Sequence, residues 1–120
     1  MPISEAEAIV MEVLWERSPR YAEEVVATLT ERSQWAEPTI KTLLNRLLNK
    51  GVIAAEKDGR RYRYSPLLAR EDWVQQQSAG LVERLFGGRV APLVAHFSEQ
   101  GRLTAEDIVE LRKLIGELDK

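Results

Sequence analysis

Residues 37–65 read EPTIKTLLNRLLNKGVIAAEKDGRRYRYS, and the two halves of this stretch have different periods. From Glu37 onward, Ile40, Leu43, Leu44 and Leu47 recur at helical spacing and share one side. Pro38 sits in the first turn, where its missing amide does no harm. Gly51, just after Lys50, is the residue type that ends a helix. The side away from the leucines carries Pro38, Thr39, Thr42, Asn45, Arg46 and Asn49, with Lys41 on its flank. It is rich in hydrogen-bonding groups and carries no acid. From Val52 to Lys57 the sequence reads as a short strand, Asp58-Gly59 as a hairpin turn, and Arg60 to Ser65 as the returning strand. A period of two puts Tyr62 and Tyr64 on one face and Arg61, Arg63 and Ser65 on the other.

Upstream, Ser4-Glu5-Ala6-Glu7 has the form of a capping box. Ala6, Val10, Val13 and Leu14 follow at helical spacing up to Trp15-Glu16, and Ser18-Pro19 breaks this first helix. A second helix is expected from about Tyr21 to Thr30, with Val25, Val26 and Leu29 inward. Three helices followed by an arginine-bearing hairpin is the order of a winged helix-turn-helix, assigned here to residues 1–67. The fold class is therefore mainly α with a small β-hairpin wing.

Residues 68–120 form the second expected domain, which is helical. A long helix over residues 69–86 steps Val74, Ser78, Leu81 and Leu85 along one stripe before Gly87-Gly88 interrupts it. A short helix from Val90 to Phe97 ends before Gly101, and Thr104-Ala105-Glu106-Asp107 caps a last helix carrying Ile108, Leu111, Ile115 and Leu118. About 50 residues of amphipathic helix cannot bury their apolar faces alone. Pairing with the same segment of a second copy meets that need, and two-fold dimers are the commonest closed assembly. Trp73, Val74, Leu81, Leu85, Ile108, Leu111, Ile115 and Leu118 are the candidate dimer-interface residues.

The chain of 120 residues has a formal net charge of −2, which by itself argues against a nucleic-acid partner. A DNA footprint is local, however. Between Pro38 and Arg63 seven basic residues face two acids, leaving +5 there and −7 over the rest. There are no cysteines, so disulfides, thiolate metal sites and cysteine nucleophiles are excluded. The N-terminus lacks a signal-peptide pattern and no apolar run reaches the ~18 residues of a membrane span, so a cytoplasmic protein without membrane insertion is expected.

A helix with small polar and basic residues outward can lie in the major groove, where Thr and Asn reach base edges and Arg reads guanine or holds a phosphate. Thr39, Lys41, Thr42, Asn45, Arg46 and Lys50 are its candidate DNA-binding residues; Lys57, Arg60, Arg61 and Arg63 of the hairpin would meet backbone or minor groove. The same arginines on an edge strand also discourage aggregation, but a single sign of charge serves that purpose poorly. His96, the one histidine, lacks the neighbours of a metal ligand. Glu106, Asp107 and Glu110 complement a helix N-terminus. No phosphate-cradling glycine pattern, cofactor motif or nucleophile–base pair is present, which excludes an enzyme as the expected reading.

Taken together, Ser4 to Glu7, Val10-Met11, Leu14-Trp15, Thr39 to Leu47, Lys50-Gly51, Tyr62-Arg63-Tyr64, Phe86-Gly87-Gly88, Leu93-Val94 and Asp107 to Arg112 resemble the penicillinase-repressor family over nearly the whole chain. That family includes the methicillin-resistance and copper-responsive CopY repressors. The resemblance implies a homodimer that binds an inverted-repeat operator on double-stranded DNA and blocks transcription. It also implies bases for Thr39 and Thr42, and phosphates or nearby bases for Lys41 and Arg46. In the β-lactamase systems a membrane sensor-protease leads to cleavage of the repressor in its dimerisation region. The corresponding stretch here is Leu93-Val94-Ala95-His96-Phe97, making His96–Phe97 the candidate cleavage site, with His96 in place of an asparagine. Pro38 stands where some relatives carry lysine, and the copper-binding cysteine motif is absent. Two further readings stay open: a regulator that senses a ligand directly, and an adaptor that docks a protein on its winged helix.

Overall fold

The computed structural model describes residues 2–120 and contains six helices and three strands. In chain order these are α1 (Glu5–Glu16), β1 (Arg20–Tyr21), α2 (Ala22–Ser33), α3 (Glu37–Asn49), β2 (Ile53–Asp58), β3 (Arg61–Pro66), α4 (Arg70–Phe86), α5 (Val90–Glu99) and α6 (Ala105–Leu118). Two compact units result, Met1–Trp73 and Val74–Lys120.

The first unit is a winged helix. Its core joins Val10, Met11, Val13 and Leu14 of α1 to Val25 and Leu29 of α2, the α3 residues Ile40, Leu43, Leu44 and Leu47, and Ile53 at the start of β2. Apart from Met11 and the strand residue Ile53, these are the positions at which helical periodicity places apolar residues, and each is nearly inaccessible to water. The capping box on α1 is fully formed: the Glu7 amide donates to the Ser4 hydroxyl at 3.1 Å, and the Ser4 amide donates to the Glu7 carboxylate at 2.7 Å. Between α2 and α3 the chain turns through Gln34, whose φ of 57° is left-handed. The Thr30 hydroxyl supports the turn by donating to the Trp35 carbonyl at 3.3 Å. Gly51, with φ +72°, follows Lys50 at the end of α3 and takes the left-handed conformation that glycine adopts without strain.

β2 and β3 form the antiparallel wing, in register from Ile53 opposite Pro66 to Asp58 opposite Arg61. β1 adds a third strand on the far side of β3, pairing Arg20 with Tyr64 and Tyr21 with Arg63. Only two residues long, β1 lies where the sequence suggests a break followed by a helix. No periodicity can register in two residues. The pairing also starts α2 one residue later than expected, at Ala22.

Trp15 fixes where the first unit ends. Its indole donates to the Leu68 carbonyl at 2.9 Å, and its ring packs on Trp73 with centroids 5.5 Å apart. Arg70 of α4 donates to Glu12 of α1 at 3.1 Å. These contacts carry the winged-helix unit beyond Leu67, where composition changes, to Trp73. They also give Trp73, expected at a dimer interface, a partner within its own chain.

The second unit has no buried residue in α5 or α6, and none in the part of α4 that it contains. A Thr104–Asp107 capping box starts α6. Among the described residues, no helix is long and apolar enough to cross a membrane.

Candidate nucleic-acid interface

The exposed side of α3 is assembled by the burial of its other side. With Ile40, Leu43, Leu44 and Leu47 in the core, Thr39, Lys41, Thr42, Asn45, Arg46 and Asn49 are all exposed. Pro38, Thr39, Thr42, Leu43 and Arg46 line a shallow groove of about 280 Å³ along that surface. The face is less free of acid than its sequence pattern suggests. Glu37, in the first turn, places a carboxylate 3.1 Å from the Lys41 ammonium.

The wing continues this polar surface. Lys57, Arg60 and Arg61 are exposed at the hairpin end, and Arg63 is half-buried. Arg61 stands 3.5 Å above the centre of the Tyr21 ring, a cation–π contact, and 3.3 Å from Glu23 of α2. Arg63 pairs with Glu56 across the hairpin at 2.5 Å. The Tyr21 hydroxyl donates to Asp58 in the hairpin turn. That bond, assisted by burial and the Asp58 charge, pushes the phenol above the usual tyrosine range against the pull of Arg61 and Arg63. Tyr21 thereby ties the wing tip to the start of α2 through both its ring and its hydroxyl. The sequence pattern places Tyr21 only at a helix start; an aromatic at that point carries no signal of a partner 37 residues away.

Between these elements lies a cleft of about 310 Å³ with Val26, Leu44, Tyr62 and Tyr64 among its apolar lining. Lys41, Asn45, Arg60 and Arg61 are on its edge together with Glu23 and Glu37. α3 and the wing thus border one recess rather than two separate surfaces. Among the described residues, Arg46, Lys57 and Arg60 have no carboxylate within ion-pair distance.

Lys50 is placed differently from the other candidates. Its ammonium lies 2.5 Å from Glu7 and donates to the Pro2 carbonyl at 3.0 Å. Glu7 is 1% exposed, so its charge requires a partner, and Lys50 at the end of α3 supplies it. Burial alone would raise the Glu7 pKa. Lys50 and the amide and hydroxyl of Ser4 outweigh burial and hold the carboxyl below its ordinary value. Lys50 therefore joins α3 to α1 and does not extend the outward-facing cationic row.

In the second unit, Leu85, Ile115 and Leu118 are 66%, 63% and 86% exposed. Val74, Leu81 and Ile108 are also exposed, and Leu111 is half-buried. His96 and Phe97 lie inside α5, both exposed, with ring centroids 5.4 Å apart. The His96 carbonyl still accepts from Gln100.

Residues 3–117 match the model of a protein family described as Penicillinase repressor. The penicillinase repressor of Bacillus licheniformis is 35% identical over 115 residues, which is 96% of this chain and 90% of that one. The methicillin resistance regulatory protein MecI of Staphylococcus aureus strain N315 is 30% identical over 113 residues, covering 94% and 92%. Among solved structures, the DNA-binding domain of the repressor BlaI superposes with a TM-score of 0.55 at 40% identity, over 58% of this chain and 85% of that one. The monomeric form of Bacillus licheniformis BlaI in complex with the blaP half-operator gives 0.54 at 39%, over 60% and 88%. The match from Ile3 to Glu117 takes in both the winged helix and the helices after it, and the chain belongs to the penicillinase repressors, a family of DNA-binding transcriptional repressors rather than enzymes.

Proposed function

We propose that the protein represses transcription as a homodimer on an inverted-repeat operator, of the kind that controls a β-lactamase or other antibiotic-resistance operon. The observation that carries this reading is the single polar face formed by α3 and the wing, in a chain whose relatives are repressors. With α3 in the major groove, Thr39, Thr42 and Asn45 reach base edges and Arg46 reads a base or a phosphate. Lys41, Lys57, Arg60, Arg61 and Arg63 hold the backbone or an adjacent minor groove. Such contacts to both groove and backbone need a stably oriented α3, which the Glu7–Lys50 pair supports from inside.

Residues 1–67 with the start of α4 act as the DNA-binding part, and the later helices as the dimerisation part. The exposed leucines, isoleucines and valines of α4 and α6 are the surface a second copy would cover. Each half-operator then meets one winged helix, and the dimer binds far more tightly than either monomer because the second half-site is engaged at high effective concentration. Cleavage at His96–Phe97 by a membrane sensor-protease or a protease under its control would cut the dimerisation part and forfeit that gain. The bond sits within α5, three residues before its end at Glu99, so cleavage requires the last turn to open into an extended strand.

The test is a pair of variants measured on operator and random duplexes. Thr42→Ala is expected to lower discrimination between the two by about 1–3 kcal/mol, the usual weight of a base contact. Arg60→Ala is expected to weaken binding to both and to reduce the salt slope by about 1. Equal losses for both variants on both duplexes would refute this division of roles. A wild type that binds neither duplex at low salt would instead favour the protein-docking alternative.

A further inference from the structure

We propose that Tyr21 is a positioning residue for DNA binding, which holds the tip of the wing in its binding conformation before DNA arrives. The proposal rests on the reading of α3 and the wing as the DNA face. The tip has little else to hold it. β1 pairs with β3 only at Tyr64 and Arg63, so the part of the wing from Lys57 to Tyr62 is a two-stranded hairpin. Such a hairpin by itself is at best marginally stable in water. The core also stops short of it: Tyr64 packs against the core, whereas Tyr62, two residues nearer the turn, is 48% exposed. Yet Lys57, Arg60 and Arg61 all lie in this outer part.

Tyr21 is the last residue of β1, and its side chain continues where the strand stops. Its hydroxyl donates to Asp58, and its ring lies under the Arg61 guanidinium at 3.5 Å. These two contacts grip both strands of the hairpin, since Asp58 ends β2 and Arg61 begins β3. Tyr21 is itself fixed from behind. Its amide donates to the Glu24 carboxylate of α2 at 3.0 Å, and Glu24 is paired with Arg17 at 2.8 Å. Glu23 adds a second tie to Arg61 at 3.3 Å, but its side chain is 63% exposed, and an ion pair so open to water contributes little. The hydroxyl and ring of Tyr21 therefore carry most of the restraint on the tip.

The consequence for binding is specific. A loose tip must give up its freedom when its cations meet phosphates, and this weakens binding; a tip already ordered has less freedom to lose. Loosening the tip leaves the phosphates met in the finished complex unchanged in number. The salt dependence counts those phosphates and nothing else. Affinity and salt dependence therefore separate: without the tether, operator and random DNA are both bound more weakly, with the same salt slope. Removing a cation, by contrast, lowers both together.

The experiment uses the full chain, a duplex of random sequence, and the duplex that the wild type enriches from a random pool. Tyr21→Phe keeps the ring under Arg61 and removes the bond to Asp58. Affinity for both duplexes is expected to fall about threefold, the weight of re-ordering one long side chain, with an unchanged salt slope. Tyr21→Leu removes the ring as well and should cost about tenfold. In the free protein, hydrogen exchange should quicken over residues 57–62 of Tyr21→Phe and stay as it was in α3. Beside Asp58→Ala, which removes the acceptor, Tyr21→Phe should have no further effect on affinity. An unchanged affinity or an unchanged exchange at the tip overturns the proposal. So does a salt slope that falls with the affinity, because cationic contacts are then lost from the complex. A Tyr21→Phe effect that persists beside Asp58→Ala also overturns it and makes the hydroxyl a DNA contact in its own right. Wild-type binding that Arg60→Ala weakens and Tyr21→Phe does not sinks this proposal alone, whereas a wild type that binds neither duplex at low salt removes the DNA reading with it.

Discussion

Replacing Lys50 by methionine keeps most of the stem and removes the ammonium that neutralises Glu7. The carboxylate left behind is 1% exposed, and its Oε2 already has no partner among the described residues. Breaking a buried pair from one side costs about 3–5 kcal/mol, because the remaining charge stays buried and uncompensated. The Lys50 side chain is 19% exposed, so water can partly replace the ammonium, and the low end, about 3 kcal/mol, is expected. With a urea slope of about 1–2 kcal/mol per molar, the unfolding midpoint at pH 7 should fall by roughly 1.5–3 M. Acid should narrow the difference. In the wild type Glu7 has a depressed pKa, so its contribution is complete above the ordinary value of 4.5 and is lost as pH falls through the lower folded value. In Lys50→Met the bond and charge that help hold the folded pKa down are gone, so the carboxyl protonates more readily than in the wild type and the deficit shrinks as pH falls. Glu7→Leu combined with Lys50→Met should restore most of the loss, short of the ~1 kcal/mol of the Ser4 capping box. Urea titrations followed by far-ultraviolet circular dichroism at pH 7 and pH 4 measure all of this. A deficit in Lys50→Met below about 1 kcal/mol at pH 7, or an equal deficit at both pH values, would refute the reasoning.

Asp58→Asn removes the charge that accepts from the Tyr21 hydroxyl, so a spectrophotometric titration should show this phenol ionising at lower pH than in the wild type. An unchanged tyrosine titration would mean that Tyr21 does not hold the hairpin turn in solution. Ile115→Glu puts a charge on a 63% exposed position of α6, within the proposed dimer surface; sedimentation is expected to show a smaller species for the variant than for the wild type at equal concentration. Half-operator affinity should be unaffected while full-operator affinity falls, and a dimer that persists would place the interface elsewhere.

The register of the buried positions was legible because burial follows local period. Ile40, Leu43, Leu44 and Leu47 could occupy only one side of a helix, and that side had to face Val10, Leu14, Val25 and Leu29. Both capping boxes and the Asp58-Gly59 turn were legible for a related reason: each is completed by residues within three positions of one another. The polar face of α3 followed from the same periodicity, and the structure exposes each of its predicted members.

What a side chain does across the chain was not legible. Lys50 reads as one more cation after Arg46 until Glu7, 43 residues earlier, is found beneath it. Trp73 reads as an interface residue, with no sign in the sequence that its ring packs on Trp15. Arg61 and Arg63 read as free cations, and Glu23 and Glu56 as ordinary surface acids, until the fold pairs them. By itself, then, the sequence determined the order of helices and hairpin, the core positions and the local excess of positive charge. Only the tertiary structure decided which charges remain available to a partner. Helix and strand periods are set by backbone geometry within a few residues, whereas an ion pair depends on which distant groups packing brings within about 4 Å.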